Sequence, residues 1–384
     1  MHRLKLAIIH NTIAPYRHPL FEALSQQIDL IIYYCSANLS SRNWDLWPRD
    51  YNYKYKILRR IPVKTPIGDQ SLNLSIVKEL VSNKPQALIL SDYTDPTTWL
   101  AFALARLSEI PLIYWTEGIT EPQSILGKIS RPLRTLFIKK SGSIIVPGRL
   151  SKNYVISLGA DPEKVFIAPN SIDNKLFTQS LDKNKEYANQ LTTELGVRGK
   201  VLILYVGQLI ERKGVEYLLH TYEKIKKEYP NAALLVLGSG ISESNLRNLA
   251  NAVQLRDFRI VHSGLSLRKL SVMYSIADIF VLPTLEDIWG FVINEAMACG
   301  LPVIATKASQ AAQEMIQSGE NGFLVKEANS EEMYVALKIL LDDATRRKEM
   351  GKKSKDIVTN RFDAENTAKG FLAATKYSVA RINN

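Results

Sequence analysis

Two carboxylates eight residues apart, Asp287 and Glu295, flank Gly290 in the stretch LEDIWGFVINEAMACGLPVI, residues 285–304. The spacing places Asp287 in a loop and Glu295 in the first turns of the helix that follows. Such a pair can face one polyhydroxy ligand, each carboxylate accepting two hydroxyl bonds. Gly290 has no Cβ, so backbone amides at the helix start can approach a phosphate closely. Val292, Ile293, Ala296, Met297 and Ala298 surround Glu295 with apolar side chains. A carboxylate in that setting is paired or functional, because uncompensated burial of a charge is costly; otherwise it is a solvated helix residue.

A second cluster precedes it. Gly207-Gln208-Leu209-Ile210-Glu211-Arg212-Lys213-Gly214 offers backbone amides at a helix start beside two cations, the composition for holding an anionic phosphate. It has neither the P-loop spacing nor the G-x-G-x-x-G of a dinucleotide fold. Gly238-Ser239-Gly240 reads as a tight turn. Only two cysteines occur, Cys35 and Cys299, far apart, which implies a reducing compartment, no disulfide framework and no zinc site.

These loops need rigid elements beneath them. The chain has 384 residues, 46% hydrophobic and 23% charged, which suits a soluble globular protein of two domains. Short apolar strands alternate with helices in both halves. Strands are expected at 4–10, 30–34, 87–90 and 111–115, with helices at 72–83 and 97–108 between them. The second half repeats the pattern, with strands at 201–206, 233–237, 258–262, 278–282, 302–306 and 322–325. Its helices are expected at 215–228, 243–252, 267–275, 331–342 and 344–358, and a last helix at 363–380. The fold class is therefore α/β, two doubly wound parallel sheets with loops at the strand C-termini. The polar, charged residues 178–197 mark the boundary, giving domains at 1–178 and 198–361 with a C-terminal helix in 362–384. No apolar run approaches the roughly 20 residues of a membrane span. The basic start MHRLKLAIIH reads as a first strand, not a signal peptide.

The net charge is +11, and it is uneven. Residues 1–178 carry 22 Lys and Arg against 14 Asp and Glu; the rest carries 27 against 24. A basic front half implies an anionic partner, or only excess lysine on a solvated surface. Within it, SRNWDLWPRDYNYKYKILRR (41–60) is either a basic-aromatic acceptor contact or an edge strand with solvated lysines. Residues 124–140, SILGKISRPLRTLFIKK, put Ile125, Leu126, Ile129, Leu133, Leu136 and Phe137 at helical spacing. Lys128, Arg131, Arg134, Lys139 and Lys140 fall on the other face. Such a helix either lies on an anionic membrane or packs on the core with a solvated basic face.

VLPTLEDIWGFVINEAMACGLPVIAT resembles the signature of the family-4 (group 1) glycosyltransferases, two acids eight apart around an aromatic-glycine pair and then E-A-M-A-x-G-x-P-V. FIAPNSIDNKLF, YVGQLIERKGVEYLL, LLVLGSG and VHSGLSLRKLSVMYSIADIFVLPT resemble the same family in the same order. The resemblance covers residues 143–325. It implies the GT-B fold: two Rossmann-like domains facing across a cleft, the donor held mainly by the second and the last helix crossing back to the first. It also implies that Glu295 binds the donor ribose hydroxyls and that Asp287, where the family usually has glutamate, contacts the transferred sugar. Gly290, Phe291 and Val292 would offer amides to the diphosphate, and Lys213 matches the phosphate-binding lysine. Gln208 stands where arginine is usual, with Arg212 as the candidate compensating cation. Gly240 and Leu265 lie on loops that usually meet the nucleotide. The first domain departs from the pattern. Its first loop is NTIAPYR rather than glycine-rich, and Glu117 stands in the loop where a histidine is common. Glu117 is the candidate for orienting the donor sugar or the acceptor hydroxyl; His10 is a further candidate, or a structural histidine.

The expected activity is retaining transfer of a sugar from a UDP- or GDP-sugar to an acceptor hydroxyl, in bacterial polysaccharide, lipopolysaccharide or glycolipid synthesis. No metal or other cofactor is expected, the nucleotide diphosphate sugar being a co-substrate. The expected partners are that donor and a glycan or lipid-linked acceptor, with peripheral contact to anionic membrane through residues 124–140 and no nucleic acid. The expected location is cytoplasmic or peripheral on the inner face of the cytoplasmic membrane. Two alternatives stay open: a nucleotide-sugar-binding protein without transfer activity, and a nucleotide-sugar epimerase on the same fold.

Overall fold

The computed structural model describes residues 3–37, 51–65, 68–120, 127, 130–262 and 264–381. The chain divides into two units: Met1–Ser171 with Ala364–Asn384, and Ile172–Asp363.

The first unit is built on a seven-stranded sheet of order β3-β2-β1-β6-β7-β8-β9. The strands are β1 Lys5–Thr12, β2 Asp29–Ser36, β3 Lys54–Ile57, β6 Ala87–Leu90, β7 Leu112–Trp115, β8 Ser143–Val146 and β9 Val165–Ile167. Every pairing in it is parallel. The central strands read LAII, ALIL and LIYW without polar alternation, because helices cover both faces of a parallel sheet. The edge strand β3 is exposed, and Lys54 and Lys56 pair with Asp29 and Glu79. Charged side chains on an edge discourage pairing with another chain. Of the segment 41–60, residues 41–50 lie outside the described residues.

Two local expectations change here. The helix expected from 72 begins at Ile76 (α2, Ile76–Asn83), because Ile61–Thr65 (β4) and Gly68–Leu72 (β5) form an antiparallel hairpin. Asp95, the N-cap of α3 (Pro96–Leu107), anchors it. One carboxylate oxygen accepts from Thr97 N at 2.9 Å and the other from Ser71 N at 3.3 Å. In the basic helix, residues 124–126 and 128–129 lie outside the described residues; the described part is α4, Arg131–Lys140. Arg134, expected on the basic face, is buried, donates to Gly127 O at 3.0 Å and lies 5.7 Å from the Tyr93 ring centroid. Leu133 and Leu136 are exposed instead, beside exposed Arg131, Lys139 and Lys140. Phe137 and Ile138 supply the buried contact.

Helix Ala364–Ala380, the last in the described chain, packs on this sheet. Phe371 stacks edge-on against Trp115, with ring centroids 4.9 Å apart. Ser143 Oγ donates to Ala374 O at 2.9 Å, and Thr367 Oγ1 to Pro169 O at 2.6 Å.

The second unit carries a six-stranded parallel sheet of order β12-β11-β10-β13-β14-β15. Its strands are β10 Val201–Val206, β11 Ala232–Leu237, β12 Phe258–Val261, β13 Ile279–Leu282, β14 Val303–Thr306 and β15 Gly322–Val325. The winding starts at β10, runs to β12, and returns to β13 on the other side of β10. Residues 178–197, expected as a polar boundary, belong to this unit and fold as helices Ser180–Lys183 and Lys185–Glu194. Ala188, Leu191 and Val197 are buried in its core; the stripe is thin and the surrounding charge hides it in the sequence. Helices Asn174–Thr178 and Gln310–Met315 are further elements that periodicity does not reveal, being too short to show it.

Candidate functional site

In the second unit β10 and β13 are hydrogen-bonded neighbours, paired at Ile203↔Ile279 and Leu204↔Phe280. They are where the strand order reverses, the place where open α/β sheets bind ligands beyond their carboxyl ends. The loops leaving these strands, 207–214 and 283–290, are the two charged loops of the sequence. They are joined to each other. Leu285 N donates to Arg212 O at 2.8 Å. Gly214 has φ +63°, and a Cβ there would lie 2.2 Å from Pro283 O, so no other residue fits without moving the backbone.

This junction brings Lys213 to Asp287. Lys213 is buried and its Nζ donates to Asp287 Oδ2 at 2.5 Å. Arg212 is exposed and its Nη1 donates to Glu286 O at 3.1 Å. Gly290 then caps helix Phe291–Ala298 with φ +96°. A Cβ on Gly290 would meet Ser309 Oγ at 2.7 Å. The Ser309 hydroxyl itself donates to Trp289 O at 2.5 Å, and Asp287 N donates to Ala308 O at 3.2 Å, so the loop is tied to the turn after β14. Phe291 and Val292 are partly exposed at the helix start.

Glu295 lies one turn into this helix and is partly exposed as a residue. Its Oε2 accepts from the Tyr274 hydroxyl at 2.6 Å. Burial raises its carboxyl to about 7, and the Tyr274 bond opposes that rise. Tyr274, on helix Leu267–Ser275, is missed by sequence reasoning. It falls at helical spacing among apolar residues and so reads as core.

Gln208, Gly240 and Leu265 lie after β10, β11 and β12, on the same carboxyl edge. Gln208 is exposed; its backbone carbonyl accepts from Tyr205 Oη at 2.9 Å, and its side chain makes no hydrogen bond among the described residues. Gly240 is exposed and Leu265 partly so.

The first unit gathers its own cluster at the carboxyl ends of β1, β7 and β9. Arg17 is buried, with its guanidinium 4.6 Å from the Trp115 ring centroid and 5.1 Å from that of Tyr16. Its Nη1 donates to Asn170 Oδ1 at 2.6 Å, and its Nη2 donates to Glu117 Oε1. Asn170 Nδ2 also donates to Glu117 Oε1, at 3.1 Å. Glu117 Oε2 takes no bond from the described residues. Behind the cluster, His10 is walled by Phe21, Tyr34 and Trp115. Its Nδ1 bonds Thr12 O at 2.8 Å, and burial, aided by the Arg17 charge, lowers its pKa to about 3. The imidazole is therefore neutral. Arg17 and Asn170 are the partners that the sequence does not single out; only the convergence of loops at one sheet edge points to them.

Among the described residues, no group of three or more His, Cys, Asp or Glu side chains is placed to hold a metal ion. No helix among them is long and apolar enough to cross a membrane.

Residues 192–357 match the family described as glycosyl transferases group 1. A glycosyltransferase of Haemophilus influenzae, itself uncharacterized, is 36% identical over 153 residues, 40% of this chain and 43% of that one. The D-inositol 3-phosphate glycosyltransferase of an Arthrobacter species is 28% identical over 267 residues, 65% of this chain and 61% of that one. The chain thus spans 43% and 61% of the length of these two curated relatives. Solved structures match it nearly end to end. A glycosyltransferase from Rickettsia africae superposes with a TM-score of 0.79 at 15% identity, covering 99% of each chain. The Anabaena protein HepE in complex with UDP gives 0.77 at 15% identity, covering 97% of this chain and 100% of that one. At such identities the superposition speaks for the fold, two parallel α/β sheets of the GT-B class. With that fold, the chain is similar to the group 1 glycosyltransferases over residues 192–357, which carry the loops that join Lys213 to Asp287.

Proposed function

We propose that the protein transfers a sugar from a nucleoside diphosphate sugar to an acceptor hydroxyl, with retention at the anomeric carbon and without a metal. The observation that carries this reading is the Lys213–Asp287 pair beside the Gly290 helix start, with Glu295 one turn further on. In this reading the diphosphate takes Lys213 from Asp287. Arg212, the amides of Gly290, Phe291 and Val292 and the helix dipole share the charge that develops on the leaving group. Asp287, released, accepts hydroxyl bonds from the transferred sugar. Glu295 accepts the ribose hydroxyls. Gly240 and Leu265 border the nucleotide, and Gln208 supplies no cation. HepE, of the same fold, is seen with UDP and with UDP-glucose, which supports a nucleoside diphosphate donor here.

In the first unit Glu117 Oε2 is the free oxygen of a carboxylate fixed by Arg17 and Asn170. It is the group we assign to orienting an acceptor hydroxyl. The acceptor we propose is a glycan or a lipid-linked glycan. Exposed Leu133 and Leu136 between Arg131, Lys139 and Lys140 support peripheral docking on an anionic membrane from the cytoplasmic side.

The test is donor binding and transfer by Glu295→Ala, measured over a panel of UDP- and GDP-sugars. We expect wild type to bind at least one of them and to transfer from it. Glu295→Ala should lose affinity by about tenfold or more, the scale of a hydrogen bond to a charged group. Wild-type transfer by Glu295→Ala would sink the site assignment. Sugar inversion without an acceptor would point to an epimerase instead.

A further inference from the structure

We infer that Tyr274 is the positioning residue of the donor site: its hydroxyl holds one oxygen of Glu295 so that the other is fixed for the ribose hydroxyls. This rests on the reading of Glu295 as the ribose-binding acid and deepens it.

The geometry is specific. Tyr274 is fully buried, and two rings set its plane: Phe177, edge-on with centroids 5.8 Å apart, and Phe280, tilted at 5.7 Å. The helix that carries it is anchored through Ser271, whose Oγ accepts from Ser180 Oγ at 2.9 Å. A ring so held fixes the position of its hydroxyl oxygen, and the Glu295 Oε2 atom stands 2.6 Å from it to accept. Glu295 Oε1 takes no bond among the described residues. A free glutamate has three rotatable bonds, and freezing them on ligand binding costs affinity. Tyr274 freezes them beforehand.

The chemistry of the partner matters too. Among the described residues no Lys or Arg bonds Glu295. A basic partner would occupy the carboxylate and compete with the ligand. A phenol holds one oxygen and leaves the negative charge in place. Burial and the Glu295 charge push the Tyr274 hydroxyl well above its ordinary range, so it stays a donor. Cys299 and Tyr205 are the other titratable groups that act on Tyr274, and both are neutral. Cys299, one turn further along the Glu295 helix, is pushed up by burial, with Lys355 opposing. Tyr205, on β10, is pushed up likewise.

The experiment is titration calorimetry of UDP, GDP and their 2′-deoxy analogues, from pH 6 to 9. It compares wild type, Tyr274→Phe, Glu295→Gln and the double variant, with a melting curve for each. In wild type, affinity for the ribonucleotide should rise with pH through a midpoint near 7, as Glu295 loses its proton. Tyr274→Phe keeps the ring and its packing. It should weaken binding at pH 7 by about tenfold, the scale of one hydrogen bond to a charged group. It should also shift the midpoint upward and shrink the preference for ribose over 2′-deoxyribose. In the Glu295→Gln background the same change should add nothing. If Glu295→Gln weakens binding while Tyr274→Phe leaves midpoint and ribose preference unmoved, the inference fails and the donor-site reading stands. A loss equal at every pH, with ribose preference intact, likewise reduces Tyr274 to packing. If Glu295→Gln has no effect, or wild type binds no nucleoside diphosphate, the reading itself fails and takes the inference with it. Should Tyr274→Phe melt early, Phe177→Leu loosens the ring and keeps the hydroxyl. It should shrink ribose preference in the same sense, and an unchanged preference overturns the inference.

Discussion

The carboxyl edges of the two sheets each hold a cation against a carboxylate, and they hold them differently. In the second unit, Lys213 meets Asp287 through one bond, across the reversal point between neighbouring strands β10 and β13. Glu295 is held through one bond as well, from Tyr274. Lys213 and Asp287 can therefore part at the cost of one contact, while Tyr274 keeps Glu295 in place with its other oxygen to give. In the first unit, Arg17 is clamped between Glu117, Asn170 and the Trp115 ring, from loops that follow three strands not adjacent to one another. Breaking that cluster means losing several contacts at once. The difference separates a site arranged to exchange partners from a brace arranged to keep them.

Replacing Arg17 should have the largest effect. Arg17→Ala removes a buried cation, its stacking on Trp115 and its hydrogen bonds to Asn170 and Glu117, leaving Glu117 without that charge partner. The expected loss is about 3 kcal/mol of stability, read from urea unfolding. A loss below 1 kcal/mol would make the first cluster as exchangeable as the second. Lys213→Met should act on binding more than on stability: nucleoside diphosphate affinity by calorimetry should fall about tenfold, with a melting shift of only a few degrees, roughly. Unaltered affinity would break the comparison from the other side.

Acidity separates the units in sign. His10 is held near 3 against 6.5 in the unfolded chain, so between these values the unfolded state binds the extra proton and stability falls as pH falls. Glu295 is raised to about 7 from 4.5, so over that window the folded state binds the extra proton and stability falls as pH rises. The melting-temperature difference between Glu295→Gln and wild type should therefore grow from pH 4.5 to 7. That between His10→Phe and wild type should grow from 6.5 downward. Slopes of the same sign would contradict the assigned environments. The smallest effect is a gain. Gln208→Arg places an exposed cation on a loop where the side chain makes no hydrogen bond among the described residues, and should tighten diphosphate binding by about two- to fivefold.

Much of the second unit is legible in the sequence. Its strands are short apolar runs, its helices long and periodic, and its punctuation is glycine whose conformation the structure requires. Val201–Val206 and Val215–Glu228 fall on the expected residues. The first unit is harder to read, because non-local contacts set its details. The hairpin at 61–72 depends on Asp95, more than twenty residues on. Arg134 turns inward because Gly127 O and Tyr93 are there to receive it. Site residues divide along the same line. Asp287, Glu295 and Lys213 carry charge where charge is conspicuous. Tyr274, Arg17 and Asn170 act through what they touch, and periodicity cannot report touching.

Helix Ala364–Ala380 completes the first sheet only after the whole second unit has been traversed. During synthesis the ribosome delivers β1 to β9 first, then an entire independent core, and only then the segment that covers Trp115 and Ser143. The later unit can thus finish folding before the earlier one, reversing the usual N-terminal-first order. A nascent chain stalled before residue 364 would expose the apolar face of the first sheet, making that interval the point at which a chaperone is most needed.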